Sequence, residues 1–246
     1  LLEPLELDVR PVTISQPIRA NIAVVEPDGT TTKLNEQGPV LQPDELDALH
    51  QAVLDASRDA SWVVCCGSLP PGVPDDFYAA MVRHCHDAGL RVAVDSSGTP
   101  MAAALTAAPD LIKPNRIELA EAVGRDLCDL GAVVDAARDL VATGVRTVVV
   151  SLGRDGALLV DADHVVHAAA SISRPLSTVG AGDSLLAGYL HGVHAGDDPA
   201  AALARAVAFG AAAVMLPGSE MPGPDQVGAI DVRVDRDPDP SRPLTD

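Results

Sequence analysis

The chain has 246 residues, a mass of 25.3 kDa and a formal net charge of −18, from 17 Lys and Arg against 35 Asp and Glu residues. This length allows one α/β domain with a buried sheet and at most two domains. The hydrophobic content of 47% is enough for a core and excludes wholesale disorder. The acidic charge and the aromatic content of 2% argue against nucleic acid as a partner, because such binding needs clustered cations and stacking rings.

The cysteines and the apolar runs bear on where the protein works. None of the four cysteines forms a CxxC pair, and no secretory apolar region precedes them, so we expect reduced, buried thiols and a cytoplasmic location. The longest apolar stretch, residues 206–216, is shorter than the roughly 18 residues of a membrane span, so we expect no membrane partner. The sequence begins with Leu1 rather than Met, and we expect a fragment or a processed product.

The first predicted element is a β-flap. Residues 18–25 and 30–34 are short β-prone runs on either side of an EPDG segment at 26–29, a pattern typical of a hairpin. We therefore expect an exposed flap over residues 18–34. Pro43 and the apolar spacing that follows it predict an amphipathic helix that ends near Ser57.

The remainder of the chain alternates between predicted strands and helices. The strands are expected at 62–66, 91–94, 111–112 and 147–150, with an edge hairpin at 157–160 and 164–167. The helices are expected at 75–88, 101–105, 118–123, 132–142, 182–195 and 199–215. This alternation, with nearly continuous apolar strands, predicts the α/β class, with a mostly parallel sheet that is covered by helices on both faces.

We divide the chain into three predicted parts. The α/β domain takes residues 1–17 and 35–234, and the flap at 18–34 forms a small lid over it. Residues 235–246 are rich in Pro and Asp and have no apolar periodicity, so we expect a flexible tail there.

The strongest local motif is STVGAGDS, residues 177–184, which directly precedes an apolar helix pattern. Small residues at a helix start leave backbone N–H groups pointing outwards, and together with the helix dipole these form an anion site. Asp183 could cap the helix or act as a base beside the anion, and the residues alone leave both open. The segment is neither a GxxxxGK[ST] loop nor a complete GxGxxG, which argues against dinucleotide binding.

Four further motifs each follow an apolar strand. They are GSLPPGVP at 67–74, DSSG at 95–98, KPNRIE at 113–118 and SLGRDG at 151–156. Any one of them could be an ordinary turn, and Asn115 with Glu118 also fits a helix cap. Because a parallel sheet brings such loops to one edge, their joint occurrence predicts a ligand site there.

Together these motifs resemble the ordered motifs of the ribokinase-like, PfkB family of sugar kinases. Within that family they most resemble the 1-phosphofructokinase and tagatose-6-phosphate kinase branch, over residues 18–222. The resemblance implies a ribokinase-like fold and ATP- and Mg²⁺-dependent phosphorylation of a sugar phosphate. The leading acceptor is fructose 1-phosphate, which would give fructose 1,6-bisphosphate. Tagatose 6-phosphate and fructose 6-phosphate stay open as acceptors, as does an inactive nucleotide-binding fragment.

The resemblance also implies which residues carry the chemistry. Asp183 would be the general base, and the amides of Gly180, Ala181 and Gly182 would stabilise the charge on the transferring phosphoryl group. Glu118 falls on the family's KPNxxE motif, which contacts nucleotide phosphates and Mg²⁺ with its water shell. We therefore expect Glu118 to serve the metal.

Binding residues follow from the same resemblance. Lys113 and Asn115 would contact the nucleotide phosphates, and Arg19, which we place on the first flap strand, would touch the phosphorylated sugar together with Ser68. The nucleotide loop would consist of Ser151, Gly153 and Gly156. A homodimer through the flap, as in some relatives, is also expected as an option.

The sequence departs from the family pattern in two respects. The family's opening strand, with its substrate-binding Asp, and its GGKGxN-type segment do not occur, so we expect a sheet that lacks strands and exposes an apolar edge. Cys66 stands where a Ser often precedes the GSLPPG string.

The histidines offer weaker signals. His84 with His86, and His191 with His194, have spacings that could share a metal, but no third ligand pairs with either set. We expect both pairs on solvated helix faces, and His164 and His167 on the surface.

Overall fold

The computed structural model describes residues 7–25 and 31–245, so the EPDG segment at 26–29 and the first six residues lie outside the described part. The strands are β1 Asn21–Val25, β2 Thr31–Asn35, β3 Trp62–Cys66, β4 Arg91–Asp95, β5 Leu111–Ile112, β6 Thr147–Ser151, β7 Ala157–Asp161, β8 Val165–Ala170 and β9 Val232–Asp235. The helices are α1 Pro43–Ala56, α2 Phe77–Asp87, α3 Gly98–Leu105, α4 Arg116–Val123, α5 Leu130–Ala142, α6 Ala181–Ala195, α7 Pro199–Val214 and α8 Pro224–Gly228. A 3-10 turn, Gly153–Asp155, follows β6.

Strands β3 to β9 form one sheet in that spatial order. The pairs from β3 to β6 are parallel, whereas β6 to β9 pair antiparallel. Val148 and Val150 face a core with α2, α3, α4 and α5, and Val149 faces a second core with α6 and α7. The alternation along one strand places helices on both faces, which confirms the predicted α/β class.

Helices α6 and α7 pack closely because α6 has glycines on the face that meets α7. A Cβ added at Gly188 would lie 2.8 Å from Cβ of Phe209, and one at Gly192 would lie 2.9 Å from Cα of Ala202. Larger side chains at these positions would push the helices apart. The close packing fixes the position of α6, whose first turn carries the GAGD motif.

The C-terminal region differs from the prediction. The helix α8 and the strand β9 were not predicted, and β9 takes the edge of the sheet beside β8, so the hairpin of β7 and β8 is not the edge. Residues after β9 also make specific contacts, where a flexible tail was predicted. The carbonyls of Pro240 and Arg242 accept hydrogen bonds from the amides of Gly131 and Leu130, at 2.8 and 3.0 Å. Because these contacts are made by backbone atoms, they require no apolar periodicity, and the sequence pattern could not reveal them.

Three side chains were placed wrongly from the sequence. His167, expected on the surface, is 3% exposed, because β9 and the residues after it cover that side of β8. Cys66 and Cys128, expected to be buried, are exposed, and the cysteines are free thiols. Cys66 is exposed because β3 is the outermost strand of the sheet, where Val64 is also 43% exposed.

The hairpin of β1 and β2 forms a separate two-stranded sheet. Ile22 pairs opposite Leu34, and these side chains and Val24 are exposed. The hairpin therefore presents an apolar surface to solvent, as the flap prediction requires. The division of the chain into lid and domain stays a prediction. Within the described residues, every helix is too short or too polar to cross a lipid bilayer.

Candidate functional site

The loops after strands β3 to β6 lie side by side because backbone hydrogen bonding continues past the strand ends. The amide of Gly67 donates to the Asp95 carbonyl at 2.8 Å, and that of Lys113 donates to the Val94 carbonyl at 3.2 Å. The amide of Ser151 donates to the carbonyl of the proline at 114, at 3.0 Å. The predicted motifs of these four loops therefore share one edge of the sheet.

The loop after β3, residues 67–74 and here called the first loop, is held at its start by two hydroxyl groups. The Ser96 hydroxyl donates to the Gly67 carbonyl at 3.0 Å, and the Tyr78 hydroxyl lies 3.1 Å from the carbonyl oxygens of Cys66 and Gly67. Both side chains are buried. Ser96 lies in the predicted DSSG motif, but no individual role was predicted for it or for Tyr78, since each acts through backbone atoms that the sequence does not reveal.

Helix α6 begins at a glycine turn that leaves amides available. Gly180, the N-cap residue, has φ of +76°, in the left-handed region that favours glycine. The Ala181 amide makes a long hydrogen bond, 3.4 Å, to the Thr178 carbonyl. The amides of Gly180 and Gly182 donate to no acceptor among the described residues. Two of the three predicted anion-binding amides are therefore available to a ligand.

Asp183 lies in the first turn of α6 and is exposed. Its side chain makes no capping hydrogen bond, so the capping role left open by the sequence is wrong. One of its carboxylate oxygens lies within 4.8 Å of both the Cys66 Sγ atom and a carboxylate oxygen of Asp95. The carboxylate that was predicted to be the base is thus at the edge where the strand loops meet.

Lys113 is buried beneath this turn and pairs with Asp95. The distance from Lys113 Nζ to Asp95 Oδ2 is 3.1 Å. A Cβ added at Gly182 would lie 3.2 Å from the same Nζ atom, so the ammonium group lies directly against the start of α6. Burial raises the pKa of Asp95, the charges of Glu118 and Asp183 raise it further, and Lys113 opposes them.

The site holds more negative than positive charge. Although the Cys66 residue is exposed, neighbouring atoms desolvate its thiol, and this desolvation together with the charges of Asp95 and Asp183 raises the pKa of the thiol to about 11, against the effect of Lys113. Asp95, Asp183 and Glu118 therefore act electrostatically on the same small region as one lysine. Oxygen donors with excess negative charge are the chemistry that suits Mg²⁺, so these residues fit a divalent cation.

Asn115 and Glu118 form a reciprocal cap at the start of α4. The Glu118 amide donates to Asn115 Oδ1 at 2.9 Å, and the Asn115 amide donates to Glu118 Oε2 at 2.8 Å. The helix-cap alternative from the sequence is therefore correct as geometry. Because Glu118 Oε1 has no hydrogen bond among the described residues, the cap also leaves one carboxylate oxygen for a ligand.

Arg19 and Ser68 are in contact at the loop that follows β3. Arg19 Nη1 donates to Ser68 Oγ at 3.1 Å. Arg19 was predicted to lie on the first flap strand, but it precedes β1. The hairpin pairing begins only at Asn21. Both side chains line a cleft of about 510 Å³ that also includes Asn21 and Asn35. Ser68 is two residues from Cys66, whose thiol lies at the charged site.

Comparison with known proteins assigns the chain to a family. A profile described as "pfkB family carbohydrate kinase" matches residues 1–225. The chain belongs to the pfkB family of carbohydrate kinases. It is 39% identical over 214 residues to a 1-phosphofructokinase of Rhodobacter capsulatus, a match that covers 86% of this chain and 68% of that protein. It is 36% identical over 197 residues to a 1-phosphofructokinase of Haemophilus influenzae, covering 80% of this chain and 63% of the relative.

A solved structure of phosphofructokinase-2 from Escherichia coli, in complex with potassium, superposes with a TM-score of 0.86 and 32% identity. The match covers 93% of this chain and 74% of that one. The chain thus spans about two thirds of the length of the curated relatives named above. The family and fold expected from the motifs are confirmed.

In this pfkB family member the SLGRDG turn is tightly built. Asn115 and Ser151 form an isolated parallel β-bridge through their backbones, which brings the start of the turn beside the KPN loop. Gly156 has φ of +92°, and a Cβ there would overlap the Ala168 carbonyl, so only glycine fits. Gly153 opens the 3-10 turn of the same loop.

Asp95 opens the DSSG motif that the sequence placed at the ligand edge, but no individual role was predicted for it. It ends β4 directly before Ser-Ser-Gly, at the same edge as the other motifs. That position was the available signal. The pairing with Lys113 could not be inferred, since it depends on the side-chain directions at the ends of β4 and β5.

Proposed function

We propose that this chain transfers the terminal phosphoryl group of ATP to a phosphorylated ketose. The leading acceptor is the 6-hydroxyl of fructose 1-phosphate. The observation that carries this proposal is the turn at Gly180, where unpaired amides lie next to the exposed Asp183 and above the buried Lys113. Such a turn offers an anion site and a proton acceptor within one helical turn.

The proposed chemistry asks the protein chiefly for positioning and charge stabilisation. Asp183 accepts the proton of the attacking hydroxyl as its oxygen bonds to the terminal phosphorus, while the bond from that phosphorus to the bridging oxygen breaks and ADP leaves. The amides of Gly180 and Gly182, which have no acceptor among the described residues, face the transferring group and stabilise its charge, and the Lys113 ammonium lies beneath them. Asn115 and the glycines of the SLGRDG turn hold the nucleotide.

The charged site also suits a Mg²⁺ ion carried with the nucleotide. When bound, the ion would neutralise phosphate charge. Glu118 and Asp95 would hold it, directly or through its water shell, because the carboxylates here outnumber the lysine that neighbours them. The Oε1 atom of Glu118 could serve this purpose, because it accepts no hydrogen bond from the described residues.

The cleft between the flap and the first loop is the proposed place for the acceptor's phosphate. Arg19 supplies a guanidinium group there, and Ser68 supplies a hydroxyl two residues from Cys66. Arginine suits phosphate because its planar fork can donate two parallel hydrogen bonds. The names of the curated relatives favour fructose 1-phosphate over fructose 6-phosphate or tagatose 6-phosphate.

We further propose that the flap pairs two copies of the chain. Ile22, Val24 and Leu34 expose an apolar face that a second flap would cover. Sedimentation of wild type and of an Ile22→Ser/Leu34→Ser variant tests this, since the variant should be monomeric. A cytoplasmic location stays a prediction.

The test is ADP release in a coupled assay with each of the three sugar phosphates. We expect sugar-dependent release, fastest with fructose 1-phosphate, and ³¹P NMR should show fructose 1,6-bisphosphate as the product. Fastest release with another of the sugars would reassign the acceptor. Nucleotide binding without sugar-dependent release would favour an inactive nucleotide-binding relative, and would overturn the proposed activity.

A further inference from the structure

The residues after β9 reach the SLGRDG turn, residues 151–156, which we propose binds the nucleotide. Residues 239–245, here named the C-terminal strap, run beside the start of α5 and end at Asp155, the last residue of the 3-10 turn. The Thr245 amide and hydroxyl donate to Asp155 Oδ2 at 2.6 and 2.9 Å. The strap lies beyond the stretch that the family profile matches, which ends at residue 225.

Asp155 is 7% exposed and bonded through its backbone as well as its side chain. Its amide donates to the Leu152 carbonyl at 2.9 Å, and its carbonyl accepts from His167 Nε2 at 2.7 Å. Arg242 of the strap lies 3.8 Å from Asp155 Oδ1. A buried carboxylate that lost these donors would be costly to keep, so the turn would rearrange to expose it.

The other end of the strap is anchored on α5. The first amides of a helix lack partners within it, and strap carbonyls supply them here to Leu130 and Gly131. Gly131 permits this approach, because a Cβ there would lie 3.0 Å from the Pro240 carbonyl oxygen. Leu244 packs against the core on the same face of the sheet. The strap is thus held at both ends and bridges α5 to the SLGRDG turn.

We propose that the C-terminal strap positions the nucleotide-binding turn, with Thr245 and Asp155 as positioning residues for ATP. The proposal rests on the proposed function, because it takes Gly153 and Gly156 to lie against the nucleotide. The strap acts on ATP through the shape of the turn, and touches neither the acceptor cleft nor Asp183.

Four variants, one of them a matched control, test it. Thr245→Val removes the hydroxyl that donates to Asp155, and Thr245→Ser restores one. Gly131→Val displaces the strap from its far end without touching the turn. Ser241→Ala is the matched control, since its hydroxyl bonds within the strap to Asp239 rather than to Asp155. The measurements are binding of a fluorescent ATP analogue, the KM values for ATP and for fructose 1-phosphate, kcat and the melting temperature.

We expect Thr245→Val and Gly131→Val to weaken analogue binding and to raise the KM for ATP by about threefold to tenfold, as loss of one charge-assisted hydrogen bond would allow. The KM for fructose 1-phosphate and kcat should stay within about twofold, and Thr245→Ser and Ser241→Ala should match wild type. Unchanged ATP binding in both variants, or an equal loss of sugar and ATP affinity, would overturn the strap's role. Failure of the wild type itself to bind the analogue would instead refute the proposed function.

Discussion

The ammonium nitrogen of Lys113 lies 3.1 Å from Oδ2 of Asp95, and the two side chains are 6% and 15% exposed. The pair joins the ends of two adjacent strands and supports the first turn of α6, where a Cβ on Gly182 would contact Nζ. The charged groups of the site are therefore fixed before any ligand arrives. Such preorganisation favours electrostatic stabilisation of a transferring phosphoryl group.

Replacing Lys113 should destabilise the folded protein. Lys113→Met leaves Asp95 as a buried carboxylate without its counterion, so we expect the free energy of unfolding to fall by about 3 kcal/mol. Adding Asp95→Asn should recover much of that loss, because the second change removes the unpaired charge. Urea unfolding of the single and double variants measures both effects.

The matched control for the Lys113 experiment is Arg58→Met, which breaks an exposed ion pair with Asp55. Solvent screens such pairs, so this variant should unfold like the wild type. If the Lys113→Met/Asp95→Asn double variant were no more stable than Lys113→Met alone, the unpaired carboxylate would not be the source of the loss.

The Cys66 thiol reports on the charge of the site. Because its pKa is raised to about 11, little thiolate exists at neutral pH, and alkylation by iodoacetamide should be much slower than for a small thiol with a pKa of about 8.5. The rate should rise about tenfold per pH unit up to pH 9. Asp183→Asn should accelerate it, since one of the charges that raises this pKa is removed.

This alkylation experiment is done in a Cys128→Ser background, which leaves Cys66 as the exposed thiol among the described residues. Asp163→Asn, a change in the exposed turn between β7 and β8, is the control and should leave the rate unchanged. An Asp183→Asn rate equal to wild type would mean that this carboxylate does not face the site.

His167 should make stability depend on pH. Burial lowers its pKa, and Arg242 lowers it further, against the opposing effects of Asp155 and Asp235. The unfolded chain takes up a proton near pH 6.5 and the folded chain resists it. The stabilising contribution is therefore complete above about pH 6.5 and is lost as the pH falls below that value.

Replacing His167 by Asn should flatten this dependence. The urea midpoint of the wild type should fall between pH 7.5 and 5.5 by more than that of His167→Asn. His194→Asn, on the exposed end of α6, is the control and should keep the wild-type slope. Equal slopes for the wild type and His167→Asn would contradict a buried, neutral imidazole.

The sheet and the location of the site were predictable because they depend on local patterns. The β3 run Trp62–Cys66 is apolar and bounded by turn residues, and it folds as predicted. Parallel pairing then dictates that the loops after β3 to β6 meet at one edge, so the neighbourhood of Lys113, Asn115 and Ser151 follows from topology alone.

The C-terminal region was not predictable because its contacts are distant in sequence and use polar groups. The Asp155 and Thr245 pair is separated by 90 positions. Strand β9 is only four residues long and is exposed along most of its length, so the alternation of valines and charged residues in its VRVD sequence is too short to reveal it. The burial of His167 was missed for the same reasons, since neither β9 nor the C-terminal strap was expected beside it.

The most direct test of the account is Asp183→Ala, with ADP release and ATP binding measured on the same preparation. We expect turnover with fructose 1-phosphate to fall by about 10²- to 10⁴-fold, because the general base is lost. ATP affinity should stay close to that of the wild type, since the amides and Lys113 remain in place. Turnover comparable to wild type in this variant would contradict the assignment of Asp183 as the base, and with it the proposed mechanism.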